Sequence, residues 1–385
     1  MFNFEFYNPT RIVFGKDRIK DLDRLVPSQA KVLVVYGGGS VKKFGTLDKV
    51  LAALGSRQVM EFGGIEANPQ FATLMKAVEV VKSAQIDFLL AVGGGSVMDG
   101  TKFVSLASNY SGNAEDLLYY GFKPLPVPTA HPIGTVVTLP ATGSEMNMGG
   151  VISHKGGKFP VFSPLVFPKF SILDPTLTFS LPKTQIANGV IDTFIHTVEQ
   201  YVTYPAEGRF QDRTAEGILH TLIEIGKKTL ENPEDYDARA NLMWCASNAL
   251  NGLIGAGVPQ DWTTHMIGHE LTAMFGIDHA KTLAIIQPAV WLVCREEKRA
   301  KLLQYAERIW GLNSGDDTKR IDQAIEKTRE FFESLGVSTR LQHYGVTRDT
   351  IDALVKALET HGMTALGEKR KVDLNISRTI LETAL

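Results

Sequence analysis

Short apolar runs alternate with helical patterns in the first half of the chain. The runs at residues 31–36 (KVLVVY), 57–62 (RQVMEF) and 87–92 (DFLLAV) have the length and residue types of β-strands. Residues 68–85 (NPQFATLMKAVEVVKSAQ) instead carry apolar residues at helical spacing. Because strands that alternate with helices form parallel sheets covered on both faces, the pattern predicts an α/β fold for this half.

The pattern changes after residues 173–182 (LDPTLTFSLP). Beyond this point β-branched runs become rare and long helical patterns dominate, as in residues 183–203 and 298–311. A chain of 385 residues is long enough for two domains with separate cores. We therefore predict a Rossmann-like α/β domain over residues 1–182 and an all-α domain over residues 183–385.

The N-terminus has a pattern of its own. Residues 2–7 (FNFEFY) alternate strictly and are followed by residues 10–15 (TRIVFG), which predicts a hairpin or a pair of outer strands. A terminal strand lies at a sheet edge, and edges are usually paired or covered. Two alternatives stay open here: a sheet edge within the monomer, or a strand that pairs across a homodimer.

Charge and cysteine content narrow the class of partner. With 40 basic and 42 acidic residues, the formal net charge is −2, which gives no reason to expect binding to nucleic acid or to an anionic membrane. The two cysteines, Cys245 and Cys294, form no CxxC pair and are expected to be packing residues in a reducing compartment. Residues 1–16 do not resemble a signal peptide, and the apolar residues 282–293 are too few to span a bilayer. We expect a cytoplasmic protein with a small-molecule partner.

The sequence GGGSV occurs twice, at residues 37–41 and 93–97, each time where a predicted strand ends and a predicted helix begins. The flanking residues differ, so the two loops are not an internal repeat. At such positions glycines let the backbone approach a phosphate, and the helix N-terminus offers unpaired N–H groups. Neither loop is the GxGxxG fingerprint, and a loop of this kind taken alone is more often a simple turn than a phosphate site.

The residues after each loop separate their roles. The second loop precedes Asp99 and Lys102, which suits a pyrophosphate with Asp99 near the sugar or nicotinamide. The first loop has no acidic residue to accept from a ribose 2′-hydroxyl, and Lys42 and Lys43 follow it. This favours NADP(H) over NAD(H), although both lysines are also compatible with an ordinary helix surface. A third loop, residues 138–147 (TLPATGSEMN), offers hydroxyl groups at Thr138, Thr142 and Ser144.

Histidine and aspartate residues form a second constellation. Asp192 and His196 lie four residues apart, as do His265 and His269, so each pair shares one helical face. His279 follows Gly276, which would end the second helix. Such pairs supply the converging nitrogen and oxygen donors that a metal needs, and the donors suit Zn²⁺ and Fe²⁺ equally well. The spacing alone does not decide which of the five residues bind.

The order of these motifs resembles the group III, iron-containing alcohol dehydrogenases over nearly the whole chain. The resemblance is carried by GGGSVMDGTK, TLPATGSE, DPTLTFSLP, NGVIDTFIHTVEQ and HMIGHELTAMFGIDHA in that order. Within the family, YGGGSVKK and GAGVPQDWTTHMIGHELTA are most similar to the branch of NADPH-dependent aldehyde reductases and butanol dehydrogenases. This resemblance implies a dehydroquinate synthase-like architecture.

The resemblance also implies roles for individual residues. The metal ligands would be Asp192, His196, His265 and His279, and His269 would lie beside the metal without binding it. The branch favours zinc over iron. The nucleotide-binding residues would be Gly37, Gly38, Gly39, Ser40 and Lys42 at the adenosine phosphate, Gly94, Gly95, Ser96 and Asp99 at the pyrophosphate and nicotinamide ribose, Thr138, Thr142 and Ser144 along the nucleotide, and Lys158 at the nicotinamide ribose.

The reaction implied is hydride transfer from NADPH to a short-chain aldehyde, with the reverse alcohol oxidation possible. His269 would deliver the proton, with a relay through water and the ribose hydroxyls as the alternative. Trp262 would either line the substrate pocket or belong to the core. A phosphate-binding lyase on the same fold would need Lys or Arg around the ligands, and residues 192–200 and 261–269 contain none. A non-catalytic relative would be expected to have lost a ligand or a loop, and none is lost.

Overall fold

The computed structural model describes residues 1–121 and 123–385. In this part of the chain six strands form one parallel sheet in the order β1-β8-β5-β4-β2-β3, and β6 and β7 form a separate antiparallel pair. The strands are β1 (Arg11–Phe14), β2 (Lys31–Tyr36), β3 (Gln58–Phe62), β4 (Phe88–Gly93), β5 (Ile133–Val137), β6 (Gly149–His154), β7 (Gly157–Phe162) and β8 (Phe170–Leu173).

The α-helices fall into two groups along the chain. The α-helices of the first half are α1 (Leu22–Leu25), α2 (Ser40–Lys43), α3 (Thr46–Leu54), α4 (Phe71–Ser83) and α5 (Gly95–Ala107). Those of the second half are α6 (Lys183–Tyr201), α7 (Arg209–Glu231), α8 (Tyr236–Ala249), α9 (Thr263–Phe275), α10 (His279–Val293), α11 (Arg295–Trp310), α12 (Asp317–Ser334), α13 (Ile351–Thr360) and α14 (Leu374–Thr383). The predicted fold class, a parallel α/β sheet followed by helices, is confirmed.

The central strands of the sheet are buried on both faces, as their apolar runs predict. In β2, Leu33 and Val35 belong to an apolar cluster that includes residues of α4 and α5. Val32 and Val34 belong to a different cluster, which includes residues of α1 and α3. Successive side chains of a strand point to opposite faces, so a strand covered on both faces is apolar throughout. This explains why KVLVVY has no polar alternation.

The chain divides into two compact units close to Pro182. The sheet-containing unit comprises residues 7–181 and 233–247, and the helical unit comprises residues 1–6, 182–232 and 248–385. The predicted ranges, 1–182 and 183–385, differ from this division at two segments. In the sheet-containing unit, Arg239 of the inserted segment donates to the Thr178 carbonyl. In the helical unit, the Phe2 N–H donates to the Gly257 carbonyl.

The predicted N-terminal hairpin is wrong. Residues 10–15 supply β1, which pairs in parallel with β8 at one edge of the sheet, but residues 1–10 form no strand. Alternation describes an extended segment with two different faces and does not specify what that segment pairs with. The aromatic side chains of Phe2, Phe4 and Phe6 are 45–52% exposed.

Neither cysteine forms a disulfide: Cys245 is buried and Cys294 is partly buried. Within residues 1–121 and 123–385, no helix is both long and apolar enough to cross a membrane.

Candidate metal centre and nucleotide loops

Helix α6 carries Asp192 and His196 one turn apart. The helix is buried along most of its length, and both side chains lie in its buried part. The Asp192 Oδ1 atom and the His196 Nδ1 atom are 3.6 Å apart. The i, i+4 spacing therefore brings the carboxylate and the imidazole to the same face, as the sequence predicts.

Helices α9 and α10 form a tight pair that carries the other three histidines. Gly276 ends α9 in the left-handed conformation, with φ 67°, and His279 is the first residue of α10. The two helices come close at Gly268, where an added Cβ would lie 2.7 Å from the Thr282 hydroxyl. A glycine at position 268 thus permits this close contact. His265 lies three residues before Gly268 on α9, and His279 lies three residues before Thr282 on α10.

The donor atoms of Asp192, His265 and His279 all lie within 4.8 Å of one another. The Asp192 Oδ1 atom is 3.8 Å from His265 Nε2 and 3.9 Å from His279 Nε2. The rings of His196 and His265 stack with their centroids 4.6 Å apart. Three donor residues from three helices thus converge in the helical unit, and His196 lies beside them without belonging to the group within 4.8 Å.

The electrostatics of this cluster suit a divalent cation. Burial would raise the pKa of Asp192, but the surrounding histidines outweigh it and hold that pKa well below its usual range. Burial lowers the pKa of His265, but Glu199 and Asp192 outweigh it and raise that pKa to about 9. Among the described residues, His265 Nε2 and Asp192 Oδ1 are buried without a hydrogen-bond partner. The residues present therefore fit a bound metal ion, which would satisfy both atoms.

His269 lies near this cluster but in a different position. It is buried, and its ring centroid is 5.2 Å from that of His279 and 6.4 Å from that of His265. Like His196, it does not belong to the group of donor atoms that lie within 4.8 Å of one another, but its ring lies farther from that of His265 than the ring of His196 does. Trp262, directly before α9, has its ring centroid 5.3 Å from that of His265 and 6.2 Å from that of His196.

The first glycine loop joins β2 to the short helix α2. Gly39 has φ 108° and caps this helix, and added Cβ atoms at Gly38 or Gly39 would meet nothing within 4 Å. The loop therefore leaves open space around its backbone. Lys42 lies in the same turn, with its Nζ atom 3.3 Å from a carboxylate oxygen of Glu61 on β3. Glu61 lies on the neighbouring strand β3, so the residues that follow the loop give no sign of this acidic neighbour.

The second glycine loop packs closely against residues 138–147. An added Cβ at Gly95 would lie 2.5 Å from the Thr142 side chain, and one at Gly94 would lie 3.1 Å from Leu139. The Thr138 N–H donates to the Gly93 carbonyl. The glycines thus permit a close approach of two loops, and Gly94 caps the N-terminus of α5.

Asp99, Ser144 and the buried Lys102 form a chain of hydrogen bonds. Ser144 donates to Asp99 Oδ1 at 2.7 Å, and the Val151 N–H donates to Asp99 Oδ2 at 2.9 Å. Lys102 donates to Ser144 Oγ at 2.9 Å. These bonds give Asp99 and Ser144 a structural part in fixing residues 138–151 to α5. In the sequence Lys102 is only one residue of the motif after the second loop. Its partners lie more than 40 residues further along the chain, so the motif does not indicate these contacts.

The remaining predicted nucleotide residues lie around the same loops. The Ser96 hydroxyl donates to the Ala67 carbonyl at 2.8 Å, and Lys158 on β7 donates to Asn68 Oδ1 at 3.1 Å. The positive charge of Lys158 acts on Asp99, whose pKa is raised by burial and lowered in part by this lysine. Lys158 therefore lies within electrostatic range of the second loop.

Comparison with known families agrees with this combination of fold and side chains. Residues 9–175 match the family described as iron-containing alcohol dehydrogenase, and residues 186–373 match the C-terminal part of the Fe-containing alcohol dehydrogenase family. The chain therefore belongs to the iron-containing alcohol dehydrogenase family, which confirms the resemblance seen in its motifs. The family description names iron, so it does not support the predicted preference for zinc.

Individual relatives cover the whole chain. The chain is 58% identical over 388 residues to the NADPH-dependent aldehyde reductase YqhD of Escherichia coli, with 100% of both chains covered. A substrate- and cofactor-free structure of YqhD has a TM-score of 0.93 at 56% identity, again with 100% of both chains covered. The NADH-dependent butanol dehydrogenase A of Thermotoga maritima has a TM-score of 0.94 at 33% identity, with 100% of this chain and 99% of that chain covered.

Proposed function

We propose that this protein is a metal-dependent oxidoreductase that reduces short-chain aldehydes to alcohols with NADPH and catalyses the reverse oxidation. The main support is the convergence of Asp192, His265 and His279, with His196 3.6 Å from Asp192, in a member of the iron-containing alcohol dehydrogenase family. A relative that is 58% identical over the full length is named as an NADPH-dependent aldehyde reductase. The two glycine loops are the proposed nucleotide-binding elements.

The proposed ligands of one divalent metal ion are Asp192, His196, His265 and His279. A bound metal supplies Lewis acidity that polarises the aldehyde oxygen for hydride transfer. The ligand types suit both iron, which the family name indicates, and zinc, which stays a prediction. Metal analysis of the purified protein distinguishes the two.

His269 is proposed to hold and deliver the proton that the product alcohol needs. It is buried in α9 one turn after His265, which puts a titratable ring beside the proposed ligands. Trp262 is proposed to line the substrate pocket, since its ring lies next to those of His265 and His196. A large apolar ring at that point would favour short, uncharged aldehydes.

NADPH is proposed as the hydride donor, with its 2′-phosphate at the first glycine loop. The support is the open space around Gly38 and Gly39 and the presence of Lys42 in the same turn. Charge-assisted hydrogen bonds to a phosphate are each worth about 1.5 to 3 kcal/mol. Glu61 limits this preference because it competes for Lys42.

The test is a screen of aldehydes with NADPH and NADH, using protein of known metal content. We expect higher kcat/KM with NADPH and with short aldehydes, and loss of activity together with metal in His265→Ala. The matched control is His220→Ala, because His220 is exposed on α7. Full activity of a metal-free His265→Ala protein would contradict the proposal.

We also propose that the protein forms a homodimer through residues 1–7. This segment exposes Phe2, Phe4, Phe6 and Tyr7, and it forms no strand within the chain. Light scattering after size exclusion should give twice the chain mass, and Phe6→Asp should weaken that association. Phe210→Asp, at an exposed phenylalanine on α7, should not. A monomeric unmodified protein would contradict this proposal.

Cytoplasmic localisation is a further proposal, and it is supported by two cysteines that form no disulfide. Cell fractionation of the native host tests it.

A further inference from the structure

The carboxylate of Glu199 lies directly behind one of the proposed metal ligands. Its Oε2 atom is hydrogen-bonded to Nδ1 of His265. Glu199 is 1% exposed and His265 is 5% exposed, so water does not compete for this contact. The other ring nitrogen, Nε2, faces the Asp192 carboxylate at 3.8 Å. The two nitrogens of this imidazole thus face a carboxylate on one side and the proposed metal position on the other.

The second oxygen of Glu199 is also fixed. Oε1 accepts a hydrogen bond from the Thr264 N–H at 2.8 Å, and the Glu199 carbonyl accepts one from the Asp261 N–H at the same distance. A carboxylate that accepts from Thr264 through one oxygen can only accept through the other. Nδ1 of His265 must therefore be the donor, so the neutral ring that binds a metal has its lone pair on Nε2.

Glu199 also lies on the helix that carries two proposed ligands. Asp192, His196 and Glu199 are spaced i, i+4 and i+7 on α6, which puts all three on one face. That face therefore carries two proposed metal ligands, Asp192 and His196, and a carboxylate that contacts a third, His265. The spacing in DTFIHTVE is visible in the sequence, but a glutamate on a helix gives no sign that it contacts a histidine 66 residues later.

We propose that Glu199 is a positioning residue that holds the tautomer and ring orientation of His265 for metal binding. This inference rests on the metal site of the proposed function. Partners of this kind behind ligating histidines raise metal affinity by about 10- to 100-fold. Glu199 itself touches neither substrate nor nucleotide in this role.

Replacement by glutamine tests the role because an amide cannot reproduce both contacts. If the amide oxygen faces His265, the NH₂ group faces the Thr264 N–H, and two donors oppose each other. If the amide is flipped, NH₂ faces Nδ1 and favours the tautomer with its proton on Nε2, which cannot bind a metal. Both orientations penalise the geometry needed for binding, with a change of only one atom.

The first experiment measures Zn²⁺ affinity by competition with a chelator. Glu199→Gln should bind Zn²⁺ about 10- to 100-fold more weakly than the unmodified protein. Glu270→Gln is the matched control: Glu270 is buried on α9 and bonded to Nδ1 of His361, which is not a proposed ligand, so its affinity should stay within about threefold of the unmodified protein. Equal affinity in Glu199→Gln and the unmodified protein would overturn the inference.

The second experiment needs no substitution at Glu199, and so decides the question even if Glu199→Gln fails to fold. Proton–nitrogen correlation spectra of the Zn²⁺-loaded protein, labelled at histidine, report which ring nitrogen carries the proton. The His265 signals are assigned by correlating the ring nuclei with the backbone of the same residue in the Zn²⁺-loaded protein. We expect a proton on Nδ1 with the far-downfield shift of a hydrogen bond to a carboxylate. A protonated Nε2 would overturn the inference.

The proposed function and the proposed role of Glu199 can be rejected separately. If the unmodified protein took up no Zn²⁺ or Fe²⁺, the proposed function would fail and this inference with it. If the unmodified protein bound the metal and reduced aldehydes while Glu199→Gln retained full affinity, only the role of Glu199 would be rejected.

Discussion

At the scale of single residues, Lys102 is a buried charge of the sheet-containing unit that donates to three acceptors. It is 2% exposed, and its Nζ atom donates to Ser144 Oγ, Asn147 Oδ1 and the Gly149 carbonyl at 2.8–2.9 Å. Burial lowers its pKa to about 8, and nearby Asp99 opposes that shift. One lysine therefore holds residues 144–149 against α5, next to the second glycine loop.

Replacing Lys102 with methionine should destabilise the protein by about 3 kcal/mol or more, because three acceptors and a buried carboxylate would lose their cation. Chemical denaturation measures this difference. The matched control is Lys76→Met at an exposed lysine of α4, for which we expect a change within about 0.5 kcal/mol. Equal effects of the two substitutions would show that the buried network contributes nothing specific.

His269→Ala distinguishes a ligand from a neighbour of the metal. Since the ring centroid of His269 lies 6.4 Å from that of His265, against 4.6 Å for His196, the variant should keep one metal per chain. Its kcat should fall by about 10²- to 10⁴-fold if His269 delivers the proton. Metal analysis and steady-state kinetics on the same sample test both statements. A smaller loss of kcat with the metal retained would favour a relay through water, and loss of the metal would make His269 a ligand.

At the scale of elements, the contact between α9 and α10 decides whether His265 and His279 can meet. Gly268 allows this contact because an added Cβ would lie 2.7 Å from the Thr282 hydroxyl. Only three residues, Gly276 to Asp278, connect the two helices. Neither helix can therefore shift without moving a proposed ligand.

Gly268→Val should push α10 away from α9 and lower metal content and activity together. Gly217→Val is the control, since Gly217 lies in α7 with nothing within 4 Å of an added Cβ, so both substitutions put the same residue into a helix. The measurement is the metal content of the two purified variants, determined before any activity assay. Normal metal content in Gly268→Val would mean that the helix pair tolerates the extra volume.

The first glycine loop controls the proposed choice of nucleotide. Gly38→Asp should move preference from NADPH toward NADH, because a carboxylate there would repel a 2′-phosphate and accept from a ribose hydroxyl. Gly38 is a better site than Gly37, where an added Cβ would lie 3.3 Å from the Ile65 carbonyl. The ratio of kcat/KM with the two nucleotides is the measurement. An unchanged ratio would show that the 2′-phosphate binds elsewhere.

The accuracy of the sequence-based expectations differs between elements for a physical reason. The run KVLVVY predicts both ends of β2 correctly, because a strand covered on both faces is apolar throughout. The i, i+4 spacing of Asp192 and His196 correctly predicts that their side chains lie together, because an α-helix fixes the direction of both. FNFEFY failed because its pairing depends on a partner that its own residues do not specify. Lys102 and Glu199 were missed as functional contacts because their partners lie about 40 to 70 residues away.

At the scale of the whole molecule, all of the proposed metal ligands belong to the helical unit. A metal ion that binds only the folded state stabilises it by about 4 kcal/mol when its free concentration is 1,000 times Kd. Removal of the metal should therefore lower the melting temperature. Differential scanning calorimetry with and without a chelator measures this. The same chelator should leave the melting temperature of His265→Ala unchanged, and an effect of equal size there would contradict the proposed ligand set.

The composition of the two units has a consequence for dissecting the protein. A cut at Pro182 would separate the main part of the sheet-containing unit from residues 233–247, and the main part of the helical unit from residues 1–6. The first fragment would lack Arg239 and Ser247, whose side chains bond to Thr178 and Glu145. The second would lack the backbone partner of Gly257. Neither fragment would be a complete folding unit, so the two halves of the gene should work only when expressed together.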